Sequence, residues 1–252
     1  MTALIVIAIL MFLTWIVSVI KRNASIVDLI WGLGFVLIAW SVYLQQETHT
    51  RVSLVLLCGV TVWGFRLSGY LTWRNHGKGE DYRYVAMRRR WGHRFAIVSL
   101  FTVFALQGTI MWLVSLPLQI GINDNHAEFG LLGWIGAAVW LIGISFESIG
   151  DAQLARFKGD PANAGKVMNR GLWKYSRHPN YFGDACVWWG LALVACNADY
   201  GAIGLIGAAV MTLFLRRISG VALLEKSLVK RREGYDDYIR TTSPFVPRRP
   251  KR

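Results

Sequence analysis

The chain has 252 residues, of which 54% are hydrophobic and 12 are Trp, with a mean hydropathy of +0.37. A soluble domain of this length buries a core without uncharged runs long enough to cross a bilayer, so composition excludes an ordinary soluble protein. The net charge of +13 raises nucleic acid as a partner, but no aromatic-interleaved basic motif accompanies it, and that class is set aside.

In chain order, residues 2–20, 29–46, 95–123 and 129–146 carry no charge. At about 1.5 Å rise per residue each is long enough for a hydrocarbon core of roughly 30 Å. Three further apolar stretches are 52–73, interrupted by Arg66, then 183–198, and 200–215 beyond Asp199. The expectation is an all-α polytopic membrane bundle of seven transmembrane helices. The last two stretches are short and also read as one tilted helix, which would give six. The first run is a retained span rather than a signal peptide, because Lys21 and Arg22 follow it and no small-residue cleavage site is visible.

Of the 28 Lys and Arg, all but Arg51 and Arg66 lie in 21–25, 74–94, 150–182 and 216–252. Seven spans place these four segments on one side, which the positive-inside rule makes cytoplasmic, with the N-terminus outside and the C-terminus inside. Six spans spoil the sorting. The basic excess then reflects topology and attraction to lipid surfaces. The chain reads as a single integral membrane domain over 1–252, with cytoplasmic loops near 74–94 and 150–182 and a basic tail, 216–252. Cys58, Cys186 and Cys196 match no metal or redox spacing and read as small buried hydrophobes.

An ionised side chain inside a bilayer is costly and usually faces the bundle interior. Asp28, in "SIVDLIWGLGF", shares a helix face with Ser25 and Gly32. By spacing alone it is equally an interfacial acid and an active-site acid. Arg66 recurs with Trp63, Tyr70 and Arg74 as a polar-aromatic stripe; its guanidinium demands an anion, either Asp28 or Glu147 in an ion pair or a ligand phosphate or carboxylate. Glu147 and Asp151 share one face with Lys158 near the end of the fifth span, where two acids oppose the helix dipole. They want donors such as a ribose, an amide or an Arg, or else are solvated at the interface.

The densest polar cluster is "SRHPNYFGDACVWWG", residues 176–190. Pro179 suits a first helical position, so a helix begins there, with its unsatisfied N–H groups among Arg177, His178 and Asn180. Such a terminus favours anions. Asn180, Asp184 and Trp188 then descend along one face into the membrane.

The stretch "GLWKYSRHPNYFGD" resembles the signature of the membrane reductases that include steroid 5-alpha-reductases and sterol reductases. "SIVDLIWGLGF", "RLSGYLTWRNHGKGEDYRY" and "EGYDDYIRTTSPFVP" extend the resemblance to the bacterial branch of steroid 5-alpha-reductase-like proteins, over 25–247. The resemblance implies a multi-pass enzyme of a bacterial inner membrane, monomeric, that takes NADPH from the cytoplasmic side and passes hydride to the C=C bond of an enone-type lipid or steroid. It implies cofactor contacts at Arg66, Arg74, Glu147, Asp151, Lys158, Arg177, His178, Asn180, Tyr181 and Asp184.

The family's carbonyl-polarising Gln-Glu pair and Tyr are missing from their expected places, the one Gln-Glu pair, Gln46-Glu47, falling in the expected outside loop. Asp28 stands in for the Glu, Trp63 occupies the Tyr position, and Tyr70 is the replacement hydroxyl, so Asp28 and Tyr70 are the expected catalytic residues. Neither GxGxxG nor a P-loop occurs. "RHPNYFG" also resembles isoprenylcysteine and phospholipid methyltransferases, which use S-adenosylmethionine. Their paired Glu-Glu is replaced here by Glu225-Lys226 in "ALLEKSL". A non-catalytic lipid-binding protein is the third reading, opposed by the intact Asp28, Arg66 and Asp184.

Overall fold

A backbone in lipid must satisfy its own hydrogen bonds, and helices do so within one segment. The computed structural model describes residues 1–218, 221, 225, 228, 229, 232 and 234–251, and no strand occurs among them. Most of "ALLEKSL", Lys226 included, lies outside the described residues.

The helices are α1 (Thr2–Ile20), α2 (Ile26–Tyr43), α3 (Arg51–Asn75), α4 (Tyr82–Trp91), α5 (Phe95–Ser99), α6 (Leu106–Val114), α7 (Leu116–Asn123), α8 (Leu131–Gly159), α9 (Pro179–Ala195) and α10 (Gly204–Leu213). A π-helical segment, Leu100–Ala105, joins α5 to α6; another, Phe214–Ile218, extends α10; and Tyr235–Thr241 is a short tail helix.

Among the described residues, six helical stretches are long and apolar enough to cross a membrane: Thr2–Ile20, Ile26–Tyr43, Arg51–Asn75, Tyr82–Val114, Leu131–Gly159 and Gly201–Ile218. The chain is therefore a multi-pass membrane protein. At 17 residues, α9 is shorter than these. It is nonetheless a separate helix from α10: it stops at Ala195, and the chain turns through Tyr200, at φ 58°, into Gly201–Ile203. The expected fourth span, 95–123, is redrawn. Helix begins at Tyr82, and a break at Ser115 (ψ 1°) before Pro117 sets α7 apart. The 74–94 loop is thus partly helical, and α8 runs to Gly159, well into the expected 150–182 loop. Cys58 is exposed on α3, which corrects its reading as a buried side chain.

The chain divides into two compact units, Met1–Gly133 with Leu191–Gly207, and Trp134–Gly190 with Ala208–Arg252. In the first, α2 and α3 cross where Gly32 and Gly64 meet; a Cβ on Gly32 would stand 2.5 Å from the Gly64 carbonyl. Small residues allow such close approach, which is how membrane helices gain packing without a hydrophobic drive between them. Phe35 and Ile38 of α2 and Leu56 and Trp63 of α3 are fully buried. α1 lies against α6, where Gly108 faces Ile7 and Met11, and Trp15 Nε1 donates to the Ala96 carbonyl at 2.8 Å. Asp124 accepts the Asp199 and His126 N–H groups, and Asn197 accepts that of Gly130. These bonds pull the Asp124 carboxyl below its usual range, more than offsetting the upward push of burial.

The second unit is built on α8 and α9. Gly143 and Gly183 interlock: a Cβ on Gly143 would stand 2.5 Å from Val187 N, and one on Gly183 would strike Glu147 N. Phe182 packs edge-on to both Phe146 and Phe245, at 5.4 and 6.0 Å between ring centroids.

Candidate functional site

In the second unit the glycine contacts bring the polar faces of α8 and α9 together. Glu147 and Asp151, one turn apart on α8, are 3% and 5% exposed. Asn180 sits in the first turn of α9, its backbone beside Gly150. Its Nδ2 donates to Asp151 Oδ1 at 3.0 Å. Its Oδ1 is buried and accepts no hydrogen bond among the described residues. An amide held by one end and open at the other is ready to accept from a ligand N–H or O–H. Asp184 lies one turn further along the same α9 face. The sequence-predicted Glu147, Asp151, Asn180 and Asp184 thus gather on one helix pair.

Arg177 and His178 have a different task from the anion-facing one that their position before α9 suggests. Arg177 is 6% exposed. Its Nε and Nη2 donate to the two carboxylate oxygens of Glu225 at 2.7 and 3.1 Å, and its Nη1 donates to the carbonyls of Ile239 and Thr242. His178 Nε2 lies 3.1 Å from Glu225 Oε1. The guanidinium is therefore consumed by protein acceptors. Burial pushes the Glu225 carboxyl up, but hydrogen bonds from His178 and Arg177 and the charge of Arg177 outweigh it and hold the group at about 2.

The tail is tied to the same segment by backbone bonds. Arg177 N donates to the Ser243 carbonyl and Arg248 N to that of Tyr175. Ser176 Oγ donates to the Phe245 carbonyl and accepts the His178 N–H. Trp173 Nε1 fixes the segment to α8 through the Gly150 carbonyl at 3.0 Å. Tyr181 stacks on the His178 ring at 5.5 Å, and Lys158 is exposed in the last turn of α8.

In the first unit, Asp28 occupies the first turn of α2. Its Oδ2 accepts from Arg83 Nη2 at 2.9 Å and its Oδ1 from the Tyr84 hydroxyl at 3.1 Å. Of the anions expected for Arg66, Asp28 is taken instead by residues of α4. Both of its carboxyl oxygens are thus engaged. The surrounding loops are stapled too. Ser25 Oγ accepts the Asp81 N–H at 2.7 Å. Glu80 accepts the Ala24 N–H and two bonds from Arg88, which together overcome burial and lower its carboxyl.

The stripe on α3 forms as its spacing requires. Arg66 and Arg74 place their guanidinium carbons 5.5 and 5.7 Å from the centre of the Tyr70 ring. Trp63 is fully buried, edge-on to Phe35 at 5.7 Å.

Glu225, Arg83 and Tyr84 are the residues that sequence reasoning missed. Glu225 carried a signal as the single acid of "ALLEKSL". Arg83 and Tyr84 lie inside the quoted "GEDYRY", where Asp81, as N-cap, accepts the Arg83 N–H and marks a helix start.

The family described as "Protein of unknown function (DUF1295)" matches residues 14–242. An uncharacterized protein of Schizosaccharomyces pombe, C594.04c, is 26% identical over 201 residues, which are 69% of this chain and 58% of that protein. The chain thus matches little more than half the length of that relative. No solved structure matches.

Proposed function

The chain belongs to the DUF1295 family, and on that premise we propose that it is an NADPH-dependent membrane reductase acting on the C=C bond of a hydrophobic enone, steroid-like or another lipid. The observation that carries this reading is the buried Asn180 Oδ1, open as an acceptor beside Asp151 on the α8–α9 pair. A nicotinamide carboxamide or a ribose hydroxyl supplies the donor that this oxygen lacks. Glu147 and Asp184 stand on the same helix pair, so the residues fit the ribose and carboxamide portions of the group.

When bound, the cofactor supplies hydride. Asn180 and Asp151 hold it, and the buried helix pair keeps water away from those bonds, where each counts for more. Arg177, by fixing the tail through Glu225, sets where α9 begins and so where Asn180 stands. The basic loops attract a polyanion to the membrane surface.

This reading takes α9 as a seventh span. The basic segments then share the cytoplasmic side, with the N-terminus outside.

One observation favours a second reading. Glu147, Asp151 and Asp184 make the α8–α9 face acidic, which suits the cationic sulfonium and ammonium of S-adenosylmethionine in a lipid or prenylcysteine methyltransferase. Thermal unfolding of the detergent-solubilised protein separates the two. NADPH is expected to raise the midpoint through linkage. A rise with S-adenosylmethionine and none with NADPH overturns the reductase reading.

A further inference from the structure

We propose that the α4–α5 junction is a binding site for one anionic phospholipid, its phosphate held by Arg89, Arg90 and Arg94 and an acyl chain laid along Ile97 and Phe101. The first observation is how α4 divides its arginines. Arg83 is spent on Asp28 and Asp81, and Arg88 on Glu80. Arg89, Arg90 and Arg94 are exposed, and among the described residues no carboxylate lies within ion-pair distance of them.

The second observation is the break at Gly92. Its φ of 53° and ψ of −132° end α4 and redirect the chain into the apolar helix that starts at Phe95. Only glycine adopts such a conformation without strain. The cations therefore sit where a polar helix meets a span. Trp91, 41% exposed, lies among them, its ring 5.6 Å from the Arg90 guanidinium; Trp is a residue of the headgroup level.

The third observation fixes the ligand as a lipid rather than free phosphate. Directly below Arg94, Ile97 and Phe101 are 67% and 65% exposed. At three and seven residues on, they continue one face toward the hydrocarbon. α1, joined to this segment by the Trp15–Ala96 bond, ends in Lys21 and Arg22, both exposed. Clusters of basic residues beside a span recognise anionic headgroups.

The experiment uses the full chain in mixed micelles and nanodiscs, with phosphatidylglycerol or phosphatidylcholine as the probe. Retained lipid is counted by native mass spectrometry, and the melting midpoint is recorded. Phosphatidylglycerol is expected to be retained and stabilising for the natural protein. With Arg89→Gln, Arg90→Gln and Arg94→Gln together, retention should fall at least about tenfold. A control, Lys166→Gln with Arg170→Gln and Lys174→Gln, removes equal charge elsewhere and should keep it. Equal loss in both variants, or equal stabilisation by inorganic phosphate alone, overturns the proposal. If the triple variant fails to fold, Arg94→Gln and Phe101→Ala are read singly; retention unchanged in both also overturns it.

Discussion

Glu225 receives both guanidinium prongs of Arg177 at 2.7 and 3.1 Å, and that one pair fastens the C-terminal segment to the start of α9. Removing the carboxylate leaves a buried cation with only carbonyls and a histidine around it. We expect Glu225→Ala to cost about 3 kcal/mol or more, the usual result of breaking a buried pair from one side. Loss of the detergent-solubilised fold on heating, measured against the natural chain, checks this. A change within about 0.5 kcal/mol would show that the pair holds nothing together.

The same carboxylate gives a pH dependence with a defined sign. Its native value is held at about 2, against 4.5 for an ordinary Glu. A lowered carboxylate stabilises fully above its unfolded value and loses that contribution as pH falls through the native one. Melting midpoints should therefore decline between about pH 4.5 and pH 2, and Glu225→Gln should flatten that part of the profile. An unchanged slope in the variant counts against Glu225 as its source.

Much of the helix map is legible in the sequence because lipid leaves few alternatives to helix. Pro179 marks the start of α9, and Asp199 separates α9 from α10. The boundary at Tyr82 is legible only through the Asp81 cap, because α4 is polar and its partners lie on distant α2. The faces carrying Asn180 and Asp151 follow from two local spacings, each readable alone, but their meeting across 29 residues does not. The partners of Asp28 and Arg177 do not either: Glu225 is 48 residues from Arg177, and Arg83 is 55 from Asp28. Periodicity places residues on a face but says nothing of which distant side chain meets them.

Close packing of α8 on α9 rests on glycine. An alanine at Gly183 places its methyl against Glu147 N and the Gly143 carbonyl, both backbone atoms of a neighbouring helix. Gly183→Ala should cost about 1–3 kcal/mol through overpacking. Gly69→Ala on α3 meets nothing within 4 Å and should be neutral, or stabilising by up to about 1 kcal/mol from helix propensity. Equal effects at the two sites would remove the packing argument.

Asn180→Ala and Asp151→Ala should weaken NADPH binding by about 1–3 kcal/mol, the range for removing a partner from a buried hydrogen bond. Equilibrium titration of the purified variants provides the measurement. Unaltered affinity in both would make this pair structural.

Asp28 separates a structural role from a catalytic one. Its carboxylate takes a charged bond from Arg83 and a hydroxyl bond from Tyr84, joining the start of α2 to α4. If the acid serves mainly to hold this junction, Asp28→Asn and Arg83→Met each lower stability. The double variant then loses less than the sum, because both single changes break the same bond; coupling of about 0.5–3 kcal/mol is the range for contacting pairs. Under that outcome NADPH affinity stays near that of the natural protein. If Asp28 instead polarises a substrate carbonyl, Asp28→Asn loses turnover at unchanged melting temperature, and Arg83→Met shows no coupling with it. The geometry favours the first outcome, because both carboxyl oxygens are already engaged, one by a guanidinium and one by a phenol.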